Sequence, residues 1–277
     1  MSNNEWPKKE NKYRALWEHA RGIGAVASTP SDLQIGRSNH CNFKCVYCID
    51  HRIGNNEPRT KLSGPVWEDL RELIPATEIL AFHGVSEFFL DPEFFDIIAK
   101  CAETRATLRL NTNGSVCTPR HLEALANYPG HIMIDFSLDA ATPDTFNRIR
   151  GWDFWRVLRN IRSYMECFAG RRERTWIALS FVITKSSVGD MVPTVYLAKS
   201  LGVNVLMFYR LHEYEGLDWT VAAKHGGDFT YRDEIVGEFR ERYNAEITRT
   251  RKAAELMGLK IEIPALLADP AAEETVQ

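Results

Sequence analysis

The hydrophobic pattern of this chain switches repeatedly between two periods, and that switching limits the available folds more than any other feature. Six short apolar runs, at 33–36, 79–83, 108–111, 132–138, 176–183 and 203–210, have the length and composition of strands. A stretch with helical period follows each one. Their starts lie 24 to 46 residues apart, which leaves room for a strand, a helix and two loops in every unit. Strands alternating with helices at this spacing predict a parallel sheet of βα units. Several runs are apolar on both sides, as where Met133 interleaves with Ile134 and Phe136, and that suits strands buried on both faces. Six such units make either an open sheet or a partial (βα)6 barrel. In both, ligands bind at the carboxyl ends of the strands, so chemically loaded residues are expected just after them.

The intervening helices are well marked. Phe154, Val157, Leu158, Ile161, Tyr164, Met165 and Phe168 recur at steps of three and four, as do Phe94, Ile97, Ile98 and Cys101. Thr118-Pro119 and Thr142-Pro143 each place a capping hydroxyl before a proline at the first helical position. Residues 231–257 read as one long helix and 259–263 as a short terminal strand. The expected organisation is a helical extension over 1–30, too short to fold alone, a core over 31–215, a helical segment over 216–264 and a mobile tail over 265–277.

The chain carries 34 Lys and Arg against 37 Asp and Glu, a formal charge of −3, and the basic residues are dispersed. A dominant electrostatic nucleic-acid surface is therefore not expected. No apolar run approaches the ~18 residues of a membrane span, and no apolar stretch follows the early lysines as in a signal peptide. A soluble cytoplasmic protein is expected.

Three of the six cysteines crowd into Cys41-Asn-Phe-Lys-Cys45-Val-Tyr-Cys48, while Cys101, Cys117 and Cys167 are scattered. Spacings of four and three would put the trio on one helix face as buried core thiols, which does not explain why all three are cysteine. They would equally serve zinc, with His40 or His51 as fourth ligand. A third possibility is an iron–sulfur cluster held by only three thiolates, one iron remaining open to substrate or cofactor.

Cys-x3-Cys-x2-Cys with an aromatic residue before the last cysteine resembles the signature of radical S-adenosylmethionine (radical SAM) enzymes. Later segments resemble that family in order. His83-Gly84-Val85-Ser86-Glu87 is similar to its Gly-Gly-Glu-Pro segment, with Ser86 in place of a glycine and Phe88 in place of the proline. Asn111-Thr112-Asn113-Gly114 is similar to Thr-Asn-Gly. Ser137-Leu138-Asp139 and Ile149-Arg150-Gly151 resemble segments of the SPASM and molybdenum-cofactor types. The resemblance covers roughly residues 32–211.

It implies an α/β fold, a partial (βα)6 TIM-like barrel with a C-terminal helix and short strand. It also implies one [4Fe–4S] cluster on Cys41, Cys45 and Cys48, whose fourth iron chelates SAM. Reductive cleavage of SAM would yield a 5′-deoxyadenosyl radical that abstracts hydrogen from substrate. Tyr47 would pack beside the adenine. Gly84, Ser86 and Glu87 would serve the SAM amino group, Asn113 and Ser137 would contact SAM, and Arg150 would pair with its carboxylate. A flavodoxin- or ferredoxin-type reductant is implied.

The loop Tyr209-Arg210-Leu211-His212-Glu213-Tyr214 bunches titratable and aromatic groups after the sixth strand. That makes Tyr209 and His212 candidates for binding substrate or moving protons, with His83 and Lys185 as weaker ones. Nothing after Cys167 supplies ligands for a further cluster. The expected reaction therefore closes without an external electron acceptor, and Cys117 or Tyr209 would be hydrogen donors if it is an epimerisation. A small-molecule substrate is expected in preference to a peptide; the contrasting class is a non-catalytic iron–sulfur or zinc protein.

Overall fold

The computed structural model describes residues 6–50, 60–223 and 227–268. Among them are nine strands: β1 (Asp32–Ile35), β2 (Ile79–Phe82), β3 (Thr107–Thr112), β4 (Ile132–Ser137), β5 (Thr175–Ile183), β6 (Val205–Arg210), β7 (Thr220–Ala222), β8 (Asp228–Thr230) and β9 (Ile261–Glu262). β7 and β8 form a separate antiparallel ribbon. The other seven make one sheet in the order β1-β2-β3-β4-β5-β6-β9, every neighbouring pair parallel. The order never reverses. Right-handed crossovers that always add the next strand on the same side put the helices on one face and curl the sheet around the other. The result is a partial barrel with β1 and β9 as its edges.

The helices are α1 (Trp6–Ala20), α2 (Gly64–Leu73), α3 (Phe94–Thr104), α4 (Pro119–Ala126), α5 (Pro143–Arg150), α6 (Phe154–Cys167), α7 (Met191–Leu201) and α8 (Arg240–Met257). The caps form as the sequence predicts: Thr118 accepts from His121 N and Thr142 from Thr145 N. Asp153 does the same for α6, which buries the stripe Phe154, Val157, Leu158, Ile161, Tyr164 and Met165 against the sheet. No helix among the described residues is long and apolar enough to cross a membrane.

Three details depart from the sequence reading. Burial on both faces holds for β2 and β5, where Leu80–Phe82 and Ile177–Phe181 are buried without interruption. It does not hold for β4, where Ile132, Ile134 and Phe136 are buried under helices while Met133, Asp135 and Ser137 are only half-buried on the concave side. Residues 231–257 are not one helix. Two 3-10 turns, Arg232–Glu234 and Val236–Phe239, precede α8, separated by extended Ile235 (φ −75°, ψ 139°). Finally, Cys41, Cys45 and Cys48 lie in a loop without helical structure, so the single-helix-face explanation of their spacing fails. His51 lies outside the described residues.

Candidate active site

The cysteine loop leaves the carboxyl end of β1 and is pinned from several directions. Directly after the strand, Arg37 is buried between Asp91 Oδ2 (3.2 Å) and Glu93 Oε2 (2.7 Å), with its guanidinium 4.2 Å from the Trp67 ring centre. The amide of Glu87 donates to the His40 carbonyl (2.9 Å), and that of Val46 to the carbonyl of Ile149 at the end of α5 (2.9 Å). Trp219 donates its indole N–H to the Val46 carbonyl (3.0 Å). Phe43 is buried against Trp152 and Phe146. Aromatic anchors and backbone bonds to three other segments hold the loop without secondary structure of its own.

Around this loop the strand ends enclose a cavity of about 270 Å³. It is lined by Cys41, Cys45 and Cys48, by Tyr47, by Gly84, Ser86 and Glu87 after β2, and by Asn113, Ser137 and Arg150. All ten residues singled out for cluster and cofactor therefore meet at one place. Gly84 has φ +143°, which side-chain-bearing residues rarely adopt. Glu87 is buried and accepts three hydrogen bonds: from Phe89 N (3.2 Å) and Thr112 Oγ1 (2.8 Å) on Oε1, and from Asn113 N (2.7 Å) on Oε2. It thus ties the β2 loop to the end of β3. Burial nevertheless pushes its carboxyl up to about 7, against those three bonds. Asn113 points the other way. Its Nδ2 donates to Asn42 Oδ1 (2.9 Å) and to Cys41 Sγ (3.7 Å).

Arg150 is engaged differently from the expectation that it would pair with a SAM carboxylate. Nη2 lies 2.6 Å from Asp139 Oδ2, and Nη1 donates to Cys45 Sγ at 3.8 Å. The Tyr47 hydroxyl donates to the same Asp139 oxygen (2.5 Å), and Val182 N to the other (2.8 Å). Two polar side chains, Asn113 and Arg150, therefore aim N–H groups at two of the three sulfurs. Arg150 Nε is buried without a hydrogen-bond partner among the described residues.

The sequence profile described as Radical SAM superfamily matches residues 35–175, half of the chain. The chain belongs to the radical SAM superfamily. The GTP 3′,8-cyclase of Microcystis aeruginosa (strain NIES-843 / IAM M-2473) is 32% identical over 128 residues, 43% of this chain and 37% of that protein. That of Photorhabdus laumondii subsp. laumondii is 29% identical over 141 residues, 47% and 40% of the two chains. Among solved structures, Streptococcus suis SuiB bound to S-adenosylmethionine superposes with a TM-score of 0.65 at 18% identity, over 96% of this chain and 57% of that one. anSMEcpe with bound AdoMet gives 0.61 at 18% identity, over 85% and 64%. The chain thus spans well under half the length of the curated relatives and under two thirds of these structures, whose likeness is one of fold.

Radical SAM enzymes use a [4Fe–4S] cluster, SAM and a reductant. The donor set here fits such a cluster. The three thiols line one cavity on one loop, with Asn113 and Arg150 donating toward two of the sulfurs, and three thiolates with a fourth iron left open is the ligand set such a cluster takes. Burial pushes the Cys45 thiol up to about 12, and it raises Cys41 as well. A bound cation would be needed to bring these thiols to the thiolate form, and Arg150 and Asn113 are directed at two of the sulfurs.

In this radical SAM chain the two residues expected to act on substrate lie outside the cysteine cavity. Tyr209 lines a different cavity on the concave face. Among the described residues its hydroxyl donates only to Met207 Sδ (3.4 Å). His212 is exposed, with its ring against Tyr214 and its carbonyl bonded by the Tyr231 hydroxyl. The chain leaves the sheet after Arg210 to join a small cluster of Leu211, Phe229 and Tyr231, which carries His212 away. Asn42, Thr112 and Asp139 were not assigned from sequence. Thr112 and Asp139, inside the quoted Thr-Asn-Gly and Ser-Leu-Asp segments, carried a readable signal; Asn42, a position the motif leaves open between the cysteines, did not.

Proposed function

We propose that Cys41, Cys45 and Cys48 hold one [4Fe–4S] cluster beside one SAM, and that the enzyme uses the product of SAM cleavage to abstract hydrogen from a small-molecule substrate. One observation carries this: residues from the β1 loop, the β2 loop, the ends of β3 and β4, and α5 line a single cavity. The cluster, when bound, supplies the electron for cleavage of the sulfonium. The chain's own residues do the positioning. Asn113 and Arg150 donate to the sulfurs, and Asp139 fixes Arg150. Gly84 allows backbone close to the ligand. Glu87 Oε2, which takes a single bond from the protein, keeps a lone pair for an ammonium hydrogen. Ser86, Ser137 and Tyr47 complete the SAM walls. Under this assignment residues 31–215 carry the chemistry and 216–264 pack on that core, with a flavodoxin or ferredoxin as reductant.

Similarity to the GTP 3′,8-cyclases supports a small-molecule substrate. A peptide substrate is the second reading, because the structure of SuiB bound to precursor peptide SuiA shares the fold. Anaerobic reconstitution with iron and sulfide tests the assignment. About four irons should bind per chain, be lost in the Cys41→Ala/Cys45→Ala/Cys48→Ala variant, and persist when Cys101, Cys117 and Cys167 are replaced. Reduced protein should release 5′-deoxyadenosine from SAM. Iron retained by the first triple variant would overturn the ligand assignment.

A further inference from the structure

A second cavity, of about 400 Å³, opens on the concave face of the sheet and shares His83 and Asn111 with the cysteine cavity. Its walls are largely apolar, with Met133, Ile134, Trp176, Val205 and Met207 among them. Set into these walls are two ionic groups of opposite sign, Arg109 on β3 and Asp135 on β4. They come from half-buried positions facing the inside of the curl.

Neither group is fully satisfied by the protein. The Arg109 side chain makes no hydrogen bond or ion pair with any described residue, yet it lies near enough to His83 to add to burial in holding that imidazole's pKa down. Asp135 Oδ2 accepts from Asn111 Nδ2 (3.1 Å), but Oδ1 is buried without a hydrogen-bond partner among the described residues. Burial pushes the Asp135 carboxyl up to about 6, outweighing the Ser180 hydroxyl, which lies 3.4 Å from Ser137 Oγ and close enough to Asp135 to lower its carboxyl somewhat. Nor do the two groups pair with each other, although they face one space. Glu262 at the rim faces Lys260 at 3.9 Å, and the Tyr209 hydroxyl has only a thioether acceptor. A charge held out of water without a partner is costly, and a ligand that supplies the counter-charge removes that cost.

We infer that this cavity binds a small zwitterion of the α-amino acid class, with its carboxylate on Arg109, its ammonium on Asp135 and its side chain against Trp176 and Met207. A guanidinium presents paired donors that match a carboxylate, and a carboxylate is the natural acceptor for an ammonium. A ligand with one charge would leave the other group unpaired. A ligand with both satisfies both, and the cavity volume suits a molecule of that size. That this zwitterion is the substrate rests on the proposed SAM chemistry next door, which the shared wall of His83 and Asn111 brings within reach. Its binding does not.

The test is calorimetric titration of the full chain, reconstituted with iron and sulfide but without SAM, using each standard L-α-amino acid and GTP. The best amino acid is then compared with its desamino and decarboxy analogues. It should bind about tenfold or more tightly than either analogue. Arg109→Met should abolish its advantage over the decarboxy analogue, and Asp135→Asn its advantage over the desamino analogue, with thermal midpoint and iron content confirming folded protein. Binding of no amino acid, binding of GTP alone, or analogues as tight as the parent would overturn the inference. Amino acid binding that survives in protein unable to cleave SAM would overturn the proposed function and leave this site standing.

Discussion

Arg150 and Asp139 form an ion pair of 2.6 Å with both side chains withdrawn from solvent. Asp139 also holds the Tyr47 hydroxyl and the Val182 amide, so one carboxylate joins the cysteine loop, α5 and β5. Removing one partner of a buried pair strands the other charge, at a cost of about 3–5 kcal/mol. Asp139→Ala should show a loss of that size in urea unfolding. Asp139→Asn should lose less, since asparagine keeps an acceptor and tolerates the positive φ of 62° found here. Equal losses would show that the charge contributes nothing.

Glu87 gives a pH signature. Its carboxyl stands at about 7, above its ordinary 4.5, because burial outweighs its three hydrogen bonds. Below pH 4.5 it is protonated in both folded and unfolded chains and costs nothing. Between 4.5 and 7 the folded chain keeps a proton that the unfolded chain releases, so stability falls as pH rises. Above 7 the loss is constant, on the order of 3 kcal/mol. Glu87→Gln cannot titrate. Wild-type stability relative to this variant should therefore drop between pH 4.5 and 7 and level off above 8 in urea unfolding series. Parallel curves would refute the raised pKa.

The sequence revealed the sheet better than what surrounds it. Each of the first six strands began within two residues of its expected start, because apolar runs between turn signals follow from burial under helices. The break before α8 was invisible for a physical reason: buried Val236, Phe239, Tyr243 and Ile247 keep a spacing of three and four straight across it. The β7–β8 ribbon has only three residues per strand, too few for alternation to register. At the site, residues in contiguous loop motifs were legible. Arg37, Arg109 and Asp135 were not, since a lone charge in or beside a strand looks the same whether it faces solvent or a cavity.

Gly114 should be the least replaceable residue of the loop after β3. Its φ is +71°, and a Cβ there would lie 3.0 Å from Val157 Cγ1. Gly114→Ala should cost about 1–2 kcal/mol from the left-handed backbone alone, read as a lower thermal midpoint. SAM affinity should weaken as Asn113 shifts. Gly170→Ala, where nothing lies within 4 Å and φ is ordinary, should leave the midpoint nearly unchanged.

Arg37 reaches two carboxylates whose surroundings differ, which allows a sharper test than a single deletion. Asp91 is almost wholly buried, at 3% side-chain exposure; Glu93 is 40% exposed and also pairs with Lys61. Without Arg37, Asp91 would be left charged and unpaired away from water, while Glu93 would keep a cation and solvent. The longer contact to Asp91, 3.2 Å against 2.7 Å, should therefore carry more of the energy, because dielectric surroundings outweigh half an ångström. Double-mutant cycles by urea unfolding, with Arg37→Met against Asp91→Asn and against Glu93→Gln, should give the larger coupling for Asp91. Arg37→Met alone should cost about 3–5 kcal/mol. The Asp91→Asn change should recover part of that loss, by removing the stranded charge. A larger coupling to Glu93 would mean that water reaches Asp91 once the guanidinium is gone.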